Sequence, residues 1–456
     1  MIHPASFRDP DGFVFSHQHT IYRQVNPSYL PQYTRLMTSG LYQKLTEKGF
    51  LVAHQEIADP RENLIEKADY LVLQPEPIPV INYPASWSFR MLQAAALLTL
   101  DIQIEALKVG MTLKDASAYN IQFVGIKPVF IDTLSFEEWR VGSPWYAYGQ
   151  FCRHFLAPLT LLSYVNSSLN SLWSSYSDGI PLPLAAQLLP VKARWNVGLW
   201  LHLFLHAKQL NATKRGEQAS GKTFSKQDLI NLATHLRSLV AGLKAPQDPS
   251  IWKDYYENDV EEAYQRKKQV TITSWLTEIQ PKQVLDIGAN RGQYSRLAAQ
   301  YASYVIAAEA DPHCVDAFWQ ELNVEKIDTI LPLCINAAYP EPAVGWMNEE
   351  RSAVSARIHS DTVFALALTH HLRITYSIPF ALQANWFANL GETLVVEFIP
   401  KDDPKVQLLL STHRNPFDDY SLEIFVAAFT ERFSIKKQTM LSDSGRILFW
   451  LERKKS

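Results

Sequence analysis

The sequence predicts an α/β protein of two domains that meet near residue 250. Its 456 residues exceed the roughly 100–200 typical of one domain. Two polar stretches, 211–226 and 244–249, interrupt the chain, and the second carries two prolines that end helical structure. Beyond them, short apolar runs alternate with helical patterns, which is typical of a parallel sheet covered on both faces. We therefore predict an N-terminal α+β domain over 1–250 and a C-terminal α/β domain over 251–456.

The composition excludes several classes of protein. Hydrophobic residues make up 47% of the chain and charged residues 20%, which rules out disorder for most of its length. The formal net charge of −3 gives no support for nucleic-acid binding. Cys152, Cys314 and Cys334 form neither a disulfide framework nor a zinc-binding spacing, so we expect no metal site and a reducing compartment.

The sequence gives no sign of membrane insertion. No basic region followed by an apolar stretch is visible at the N-terminus, so no secretory signal is predicted. The longest apolar run, WNVGLWLHLFL at 195–205, falls well short of the roughly 20 residues that span a bilayer. We expect this run to be a buried helix, and the protein to be cytoplasmic.

The C-terminal elements follow a regular order. Two helices are predicted, one over 293–300 and one from residue 312. The last apolar run follows a turn at 442–445 (SDSG), which predicts a closing antiparallel hairpin between 433–435 and 446–451. Five strands are predicted before that hairpin: 284–287, 304–308, 330–335, 362–368 and 393–398.

The first strand and the turn after it form the most informative segment, VLDIGANRGQ at 284–293. Gly288 and Gly292 permit backbone conformations and a close ligand approach that a Cβ would obstruct. The dinucleotide pattern G-x-G-x-x-G would need glycines where Asn290 and Gln293 stand, and no phosphate-loop Lys-Ser or Lys-Thr pair follows. The loop therefore predicts a nucleotide-derived ligand other than a dinucleotide or a nucleoside triphosphate.

Two carboxylates narrow the choice of ligand. Asp286 at the tip of the first strand would repel a pyrophosphate but favour a ligand with an ammonium and a sulfonium group. Glu309, after the second strand, is placed to accept both ribose hydroxyls, worth about 1.5–3 kcal/mol as charge-assisted hydrogen bonds. The combination indicates S-adenosyl-L-methionine (SAM), which carries both cationic groups and no phosphate.

These residues resemble those of class I SAM-dependent methyltransferases over 255–454. DIGANRG at 286–292 is similar to the first motif of that family, and Glu309 to its ribose-binding acid. Asn336 stands where the family often has an adenine-contacting Asp. The resemblance implies a Rossmann-like, seven-stranded methyltransferase sheet. The whole chain is also similar to a group of bacterial methyltransferase-like proteins that includes rhizobial host-specificity nodulation proteins.

The segment LALTHHL at 366–372 resembles the part of the family that borders the methyl-transfer pocket. His370 and His371 are candidate general bases, because an imidazole titrates near neutral pH. The alternative is that a histidine here orients the loop through hydrogen bonds.

Glu397 interrupts the apolar fifth strand near its carboxyl end, so it must meet a partner or face the active site. We treat it as a third candidate catalytic residue. We expect Asp402 and Asp403, which follow it, to form a solvated turn. Tyr255 and Tyr256 precede the first strand and would either cover the cofactor or pack in the core.

The N-terminal half carries a second constellation. LKDASAYN at 113–120, followed by GIKPVFID at 125–132, resembles the catalytic loop and metal-binding Asp of protein-kinase-like phosphotransferases. In that family the counterpart of Asp115 orients the acceptor hydroxyl, while those of Asn120 and Asp132 hold magnesium and ATP phosphates.

This resemblance covers 13–159 and departs from the kinase pattern. No glycine-rich loop is found, and Arg23 stands in place of the strand lysine. The departures favour a non-catalytic, kinase-like accessory domain over a working kinase. The alternative is a different fold in which Asp115 caps a turn and Asp132 ends a strand.

The primary hypothesis is a SAM-dependent methyltransferase acting on a small-molecule, glycan or lipid-like acceptor, with oxygen as the nucleophile. One alternative is a SAM-binding regulatory protein whose kinase-like module recognises a protein partner. Another is a bifunctional methyltransferase and phosphotransferase.

Overall fold

The computed structural model describes residues 2–61, 70–208, 223–249, 262–415, 417–443 and 445–455. The chain forms two compact units. The first unit comprises Met1–Asp248 together with Ala343–Ser352, and the second comprises Pro249–Pro342 and Ala353–Ser456. The return of ten residues to the first unit was not predicted from the sequence.

The first unit is an α+β arrangement. Its strands are β1 Gly12–His17, β2 Thr20–Val25, β3 His54–Ile57, β4 Leu71–Pro75, β5 Met111–Leu113, β6 Ile121–Val124, β7 Lys127–Phe130 and β8 Phe136–Glu138. A four-stranded antiparallel sheet has the order β1-β2-β4-β3, and β5 pairs with β8 and β6 with β7 in two further antiparallel pairs. The α-helices are Leu30–Thr38, Leu41–Glu47, Phe89–Lys108, Tyr148–Phe151, Ala157–Tyr164, Leu182–Leu188, Val197–Leu199 and Lys226–Gly242.

The long helix Phe89–Lys108 is the central element of this unit. The hydroxyl oxygen of Ser88 accepts a hydrogen bond from the Met91 N–H and caps the helix start. Most of the helix is buried, and it packs against the helix Lys226–Gly242. That second helix begins with a capping box between Ser225 and Asp228.

The apolar run at 195–205 is helical but not wholly buried. Val197–Leu199 continues directly into the π-helical turns Trp200–Leu205. Leu199 and Leu203 are buried, whereas Trp195 is 84% exposed and Trp200 is 49% exposed. The expectation of a buried helix is therefore wrong for one face, because hydrophobicity in a sequence does not report which side of a helix is covered.

The second unit is built on the predicted seven-stranded sheet. Its strands are β9 Gln283–Ile287, β10 Tyr304–Glu309, β11 Ile330–Cys334, β12 Thr362–Ala365, β13 Thr393–Phe398, β14 Phe433–Met440 and β15 Ile447–Arg453. Their order in the sheet is β11-β10-β9-β12-β13-β15-β14. Strands β9 to β13 are parallel, and β15 pairs antiparallel with both β13 and β14. The fold class predicted for this half of the chain is confirmed.

Helices cover this sheet, and side chains cap several of them. Asp311, Asp403 and Ser421 each accept a backbone N–H at the start of a helix. The α-helices are Glu262–Ile279, Gln293–Ala298, Pro312–Glu325, Val354–Arg357, Phe380–Leu390, Pro404–Ser411 and Leu422–Thr430. Within the residues that the structure describes, no helix combines the length and the apolar character needed to cross a membrane.

The strand order reverses beside β9. The chain passes from β9 to β10 and β11 on one side, and then returns to place β12 on the other side of β9. In open parallel sheets, the loops at the carboxyl ends of the strands diverge at such a point and leave a crevice. The site described next lies at this edge.

Candidate active site

A crevice opens where β9 and β12 end. Its floor includes Asp286 and Gly288, and residues after β12 form one wall. The helix Glu262–Ile279 supplies another wall. The lining residues are Tyr264, Gln265, Lys268, Asp286, Gly288, Ala289, Tyr294, Leu366, Ala367, Lys405 and Arg446.

Asp286 is a buried carboxylate at the bottom of the crevice. Asp286 is only 2% exposed, and its Oδ2 accepts a hydrogen bond of 2.6 Å from the Ser295 hydroxyl. Burial raises the pKa of Asp286 to about 6, against a smaller opposing effect of the Ser295 hydrogen bond and the Lys268 charge. A cationic ligand group would favour the ionised form of this side chain.

The loop after β9 depends on two glycines in left-handed conformations. Gly292 has φ 76°, and a Cβ there would lie 1.9 Å from the Phe318 ring, so only glycine fits. Gly288 has φ 81°, but the nearest atom to its absent Cβ belongs to Leu368 at 3.6 Å. A Cβ at the first glycine would thus make only ordinary van der Waals contact, and that residue lines the crevice, whereas the second glycine allows close packing against the Phe318 ring.

Glu309 ends β10 and is tied to the same loop. Its two carboxylate oxygens accept the N–H groups of Asn290 at 2.8 Å and Asp311 at 2.9 Å. Burial raises the pKa of Glu309, whereas these backbone hydrogen bonds lower it. Asn290 itself has φ 50°, and its side-chain oxygen accepts the Arg291 N–H. A carboxylate oxygen has more than one lone-pair site, so Glu309 can still accept further hydrogen bonds.

Asn336 follows β11 and is half-buried. Its side-chain oxygen accepts the N–H groups of Ala338 at 2.9 Å and Tyr339 at 3.3 Å. This residue therefore closes its own turn with its oxygen. The amide nitrogen is the part of the side chain suited to donate to an adenine ring, a role that stays a prediction.

Glu397 meets the partner that its burial requires. Its side chain is fully buried, and the Lys268 ammonium lies 2.7 Å from Oε2. The Tyr264 hydroxyl donates to Oε1 at 2.5 Å, and the Ala367 N–H donates to Oε2 at 3.0 Å. Three donors from two different elements thus hold this carboxylate. Its placement favours a role in positioning these elements, and its predicted catalytic role stays a prediction.

The neighbourhood of Ala367 explains why that contact matters. Ala367 has φ 51°, a conformation that non-glycine residues rarely adopt. Its N–H is satisfied by Glu397, and the next turn is held by the Thr369 hydroxyl, which donates to the Glu397 carbonyl oxygen at 3.1 Å. Glu397 therefore fixes the wall of the crevice that follows β12.

His370 and His371 lie behind this wall. Their ring centroids are 4.1 Å apart, and His370 is 1% exposed. Burial lowers the pKa of His370 well below its ordinary value and lowers that of His371 to about 4. Among the crevice-lining residues that the structure describes, neither histidine occurs. Both imidazoles are neutral at neutral pH, and their predicted catalytic role stays a prediction.

Arg446 adds a second ion pair at the rim of the crevice. Its guanidinium donates to Asp403 at 2.7 Å and lies 4.6 Å from the centre of the Tyr264 ring. Asp403 is only 2% exposed, so the expectation of a solvated turn is wrong for this residue, whereas Asp402 is exposed as expected. The correction has a physical reason: Asp403 both caps the helix Pro404–Ser411 and neutralises Arg446.

Sequence reasoning missed Tyr264 and Lys268. The signal was present, because these residues share the buried stripe of their helix with Ile272 and Trp275, where a lysine is out of place. Tyr255 and Tyr256, which we expected either to cover the cofactor or to pack in the core, lie outside the described residues.

The first unit brings Asp115, Asn120 and Asp132 together. Asn120 Nδ2 donates to the Ser135 hydroxyl oxygen at 3.2 Å, and that hydroxyl donates to Asp132. Arg23 lies 2.6 Å from Asp132 in an ion pair. Burial raises the pKa of Asp115, and the nearby charge of Asp132 raises it further. Within the described residues, no three His, Cys, Asp or Glu side chains are grouped to hold a metal ion.

Comparisons with known proteins address the whole chain. No family model matches it. Nodulation protein NoeA of Rhizobium meliloti (strain 1021) is 32% identical over 457 residues, which cover 98% of this chain and 95% of NoeA. The chain belongs to the NoeA family. Membership of this family confirms the predicted likeness to bacterial nodulation proteins.

Two solved methyltransferase structures align with less than half of this NoeA-family chain. N-methyltransferase NodS from Bradyrhizobium japonicum WM9, in complex with S-adenosyl-L-homocysteine, is 11% identical over 44% of this chain and 93% of NodS, with a TM-score of 0.32. Magnesium protoporphyrin IX methyltransferase (ChlM) from Synechocystis PCC 6803, with bound SAM, is 18% identical over 45% of this chain and 86% of ChlM, with a TM-score of 0.28.

The buried ion pair predicts a specific pattern of stability. Glu397→Gln leaves the Lys268 charge buried without a counter-charge, so we expect the free energy of unfolding of the second unit to fall by about 3–5 kcal/mol. Lys268→Met should cost a similar amount, and the double variant should recover most of the loss. Hydrogen exchange at the β13 amides measures these changes. Equal, additive losses would show that the two side chains do not act as a pair.

Proposed function

We propose that this NoeA-family protein is a SAM-dependent methyltransferase whose acceptor is a small-molecule, glycan or lipid-like compound with an oxygen nucleophile. One observation carries the proposal. Asp286 lies at the floor of a crevice beside Gly288, and Glu309 ends the adjacent strand with its carboxylate bound to the same loop.

The residues present suit SAM. Asp286 matches its ammonium group, and Glu309 matches two ribose hydroxyls. Lys405 lines the same crevice as Asp286, so charges of both signs are offered to a ligand that ends in an amino acid. Gly288 lines the crevice without a side chain, which permits close approach of such a ligand to the backbone.

A dinucleotide suits the same crevice less well. Two of the cations that line the crevice are already neutralised, Lys268 by Glu397 and Arg446 by Asp403. The carboxylate of Asp286 adds a negative charge near the place where a pyrophosphate would lie. The charge balance therefore favours a phosphate-free, zwitterionic ligand.

SAM, when bound, supplies a methyl group attached to a sulfonium. The chain's own contribution is to hold the acceptor in line with that group, and positioning of this kind can lower a barrier by roughly 7–11 kcal/mol. Leu366 and Ala367 form the wall at which the acceptor would be aligned, and Glu397 keeps that wall in place. His370 and His371 are neutral and able to take up a proton, although their low pKa makes them weak bases.

The cofactor assignment predicts which variants lose binding. Asp286→Asn and Glu309→Gln should each weaken SAM binding by about tenfold to a hundredfold, because each removes a charged partner. Isothermal titration calorimetry with the full chain measures this. Glu392→Gln is the matched control. This exposed carboxylate directly precedes the amino end of β13, whereas the crevice lies at the carboxyl ends of the strands, and it pairs with Arg453. Normal SAM binding by both site variants would overturn the assignment.

An experiment with methyl-labelled SAM distinguishes SAM binding from methyl transfer to an acceptor. We expect the full chain, given methyl-labelled SAM and an extract of small molecules, glycans and lipids, to label an acceptor, and Asp286→Asn to label far less of it. SAM binding with no labelled product in any of these pools would favour the alternative, a SAM-binding regulatory protein.

The raised pKa of Asp286 predicts a pH dependence of binding. Below pH about 6 the side chain is protonated, so SAM affinity should fall about tenfold per pH unit there and level off above pH 7. The stability of the ligand-free protein has the opposite pH dependence. Because the pKa of Asp286 is raised in the folded state, the free energy of unfolding decreases as the pH rises toward 6. Calorimetry between pH 5 and 8 tests the affinity. A slope that persists in Asp286→Asn would assign it to another group.

A second candidate function concerns the first unit. The convergence of Asp115, Asn120 and Asp132 favours a kinase-like module that binds ATP with magnesium, because Mg²⁺ is often held by one or two protein side chains together with phosphates. Such a module would make the protein bifunctional, or would serve to recognise a partner.

Calorimetry with ATP and Mg²⁺ tests this candidate. Binding should weaken at least about tenfold in Asp132→Asn and stay unchanged in Asp286→Asn, which alters the other unit. ATP hydrolysis lost in Asp132→Asn would support a phosphotransferase, and binding without hydrolysis would support a regulatory module. No binding of ATP to the unaltered chain would exclude both.

A further inference from the structure

Exposed apolar side chains are concentrated in one short stretch of the first unit. Single exposed hydrophobic residues, such as Val324 and Met440, are ordinary on protein surfaces. A group of them within fourteen residues is not. We call this group the tryptophan surface: Leu188 (43% exposed), Val191 (69%), Trp195 (84%), Val197 (76%), Trp200 (49%) and Leu201 (42%).

The fold holds this surface in place. Its residues lie on or beside the helix Leu182–Leu188, the 3₁₀ turn Val191–Trp195 and the continuous helical segment 197–205, and these elements contact one another. The inner faces are anchored, because Leu182 and Leu199 are fully buried. The exposed side chains are thus the outer face of a packed structure and are presented together.

The stretch of chain that carries the tryptophan surface has charged side chains of only one sign. Residues 179–208 contain no Asp or Glu, although the whole chain has a net charge of −3. Lys192, Arg194 and Lys208 in this range are all exposed. The Arg194 guanidinium lies over the Phe204 ring at 5.3 Å, which places a cation beside the apolar side chains. The partner that complements this surface is therefore both apolar and anionic.

We propose that the tryptophan surface docks onto an anionic lipid bilayer. Tryptophan is enriched at the level of lipid headgroups, where its ring is apolar and its N–H meets water. Peripheral proteins insert apolar side chains roughly 5–10 Å into that boundary, while lysine and arginine are drawn to anionic headgroups. Six exposed apolar side chains in a stretch with three exposed cations and no acid match this chemistry.

The proposal does not depend on the proposed methyl transfer. The tryptophan surface belongs to the first unit, and every residue lining the crevice belongs to the second. Vesicle binding and SAM binding can therefore fail separately. A lipid-like acceptor would give docking an immediate use, but docking is measured without any acceptor.

Co-sedimentation of the full chain with vesicles tests the proposal. We expect binding to vesicles of phosphatidylcholine mixed with phosphatidylglycerol, weaker binding to phosphatidylcholine alone, and a loss of binding at high salt. Trp195→Ser combined with Trp200→Ser should lower the partition coefficient at least about tenfold. Lys192→Ala should lower it about fivefold.

Val324→Ser is the matched control, because Val324 is 83% exposed but lies in the second unit. Its vesicle binding should equal that of the unaltered chain. SAM binding and circular dichroism of the tryptophan variant check that it remains folded, as expected for changes at exposed positions.

Three outcomes would overturn the proposal. One is no binding to either kind of vesicle, and another is equal binding to neutral and anionic vesicles. The third is a concentration-dependent dimer that the two tryptophan substitutions abolish while vesicle binding is unchanged, which would make the surface a contact between two copies of the chain.

Discussion

The buried ion pair between Lys268 and Glu397 is the interaction on which the crevice depends. A carboxylate and an ammonium removed from water are stable only when each is neutralised and hydrogen-bonded. Here the pair joins a helix, the strand β13 and the loop after β12, because Glu397 also accepts the Tyr264 hydroxyl and the Ala367 N–H. The charges therefore determine the relative positions of three elements around one opening.

The same pair shapes the electrostatics of the crevice floor. Asp286 lies close enough to Lys268 for that cation to lower its pKa, while burial raises the pKa more strongly. Without Glu397, the charge of Lys268 would have no counter-charge beside it and would lower the pKa of Asp286 more strongly. Because Glu397 pairs with Lys268, ionisation of the buried Asp286 side chain is costly when no ligand is bound. A cationic ligand group would stabilise the ionised form.

Much of the second unit follows from local patterns in the sequence. Buried parallel strands are continuous apolar runs, so β9 to β13 were predicted within a few residues, and Gly292 was identified by its motif before Phe318 showed why it must be glycine. The pairing of Lys268 with Glu397 could not be predicted in this way, because 129 residues separate them and no local pattern joins them. Asp403 was misjudged for the same reason, since Arg446 comes to it from a distant hairpin.

The first unit shows the limit of hydrophobicity as a guide. The run at 195–205 contains enough apolar residues for a core helix, yet the structure covers only the side that carries Leu199 and Leu203. Composition specifies how much apolar surface a segment has, and only tertiary packing decides which part is covered.

The residues around the crevice favour catalysis by alignment of the acceptor with the methyl group rather than by a strong base. Glu397 is engaged by three donors. Burial lowers the pKa of both histidines, so neither of them is a strong base at neutral pH. An oxygen acceptor becomes much more acidic as it gains a methyl group, so its proton can leave to water or to a weak base during transfer. A weak base is then sufficient, provided that the acceptor is held in line. In such an enzyme, the pH dependence below neutrality would come from Asp286, the residue proposed to bind the cofactor, and not from a residue that deprotonates the acceptor.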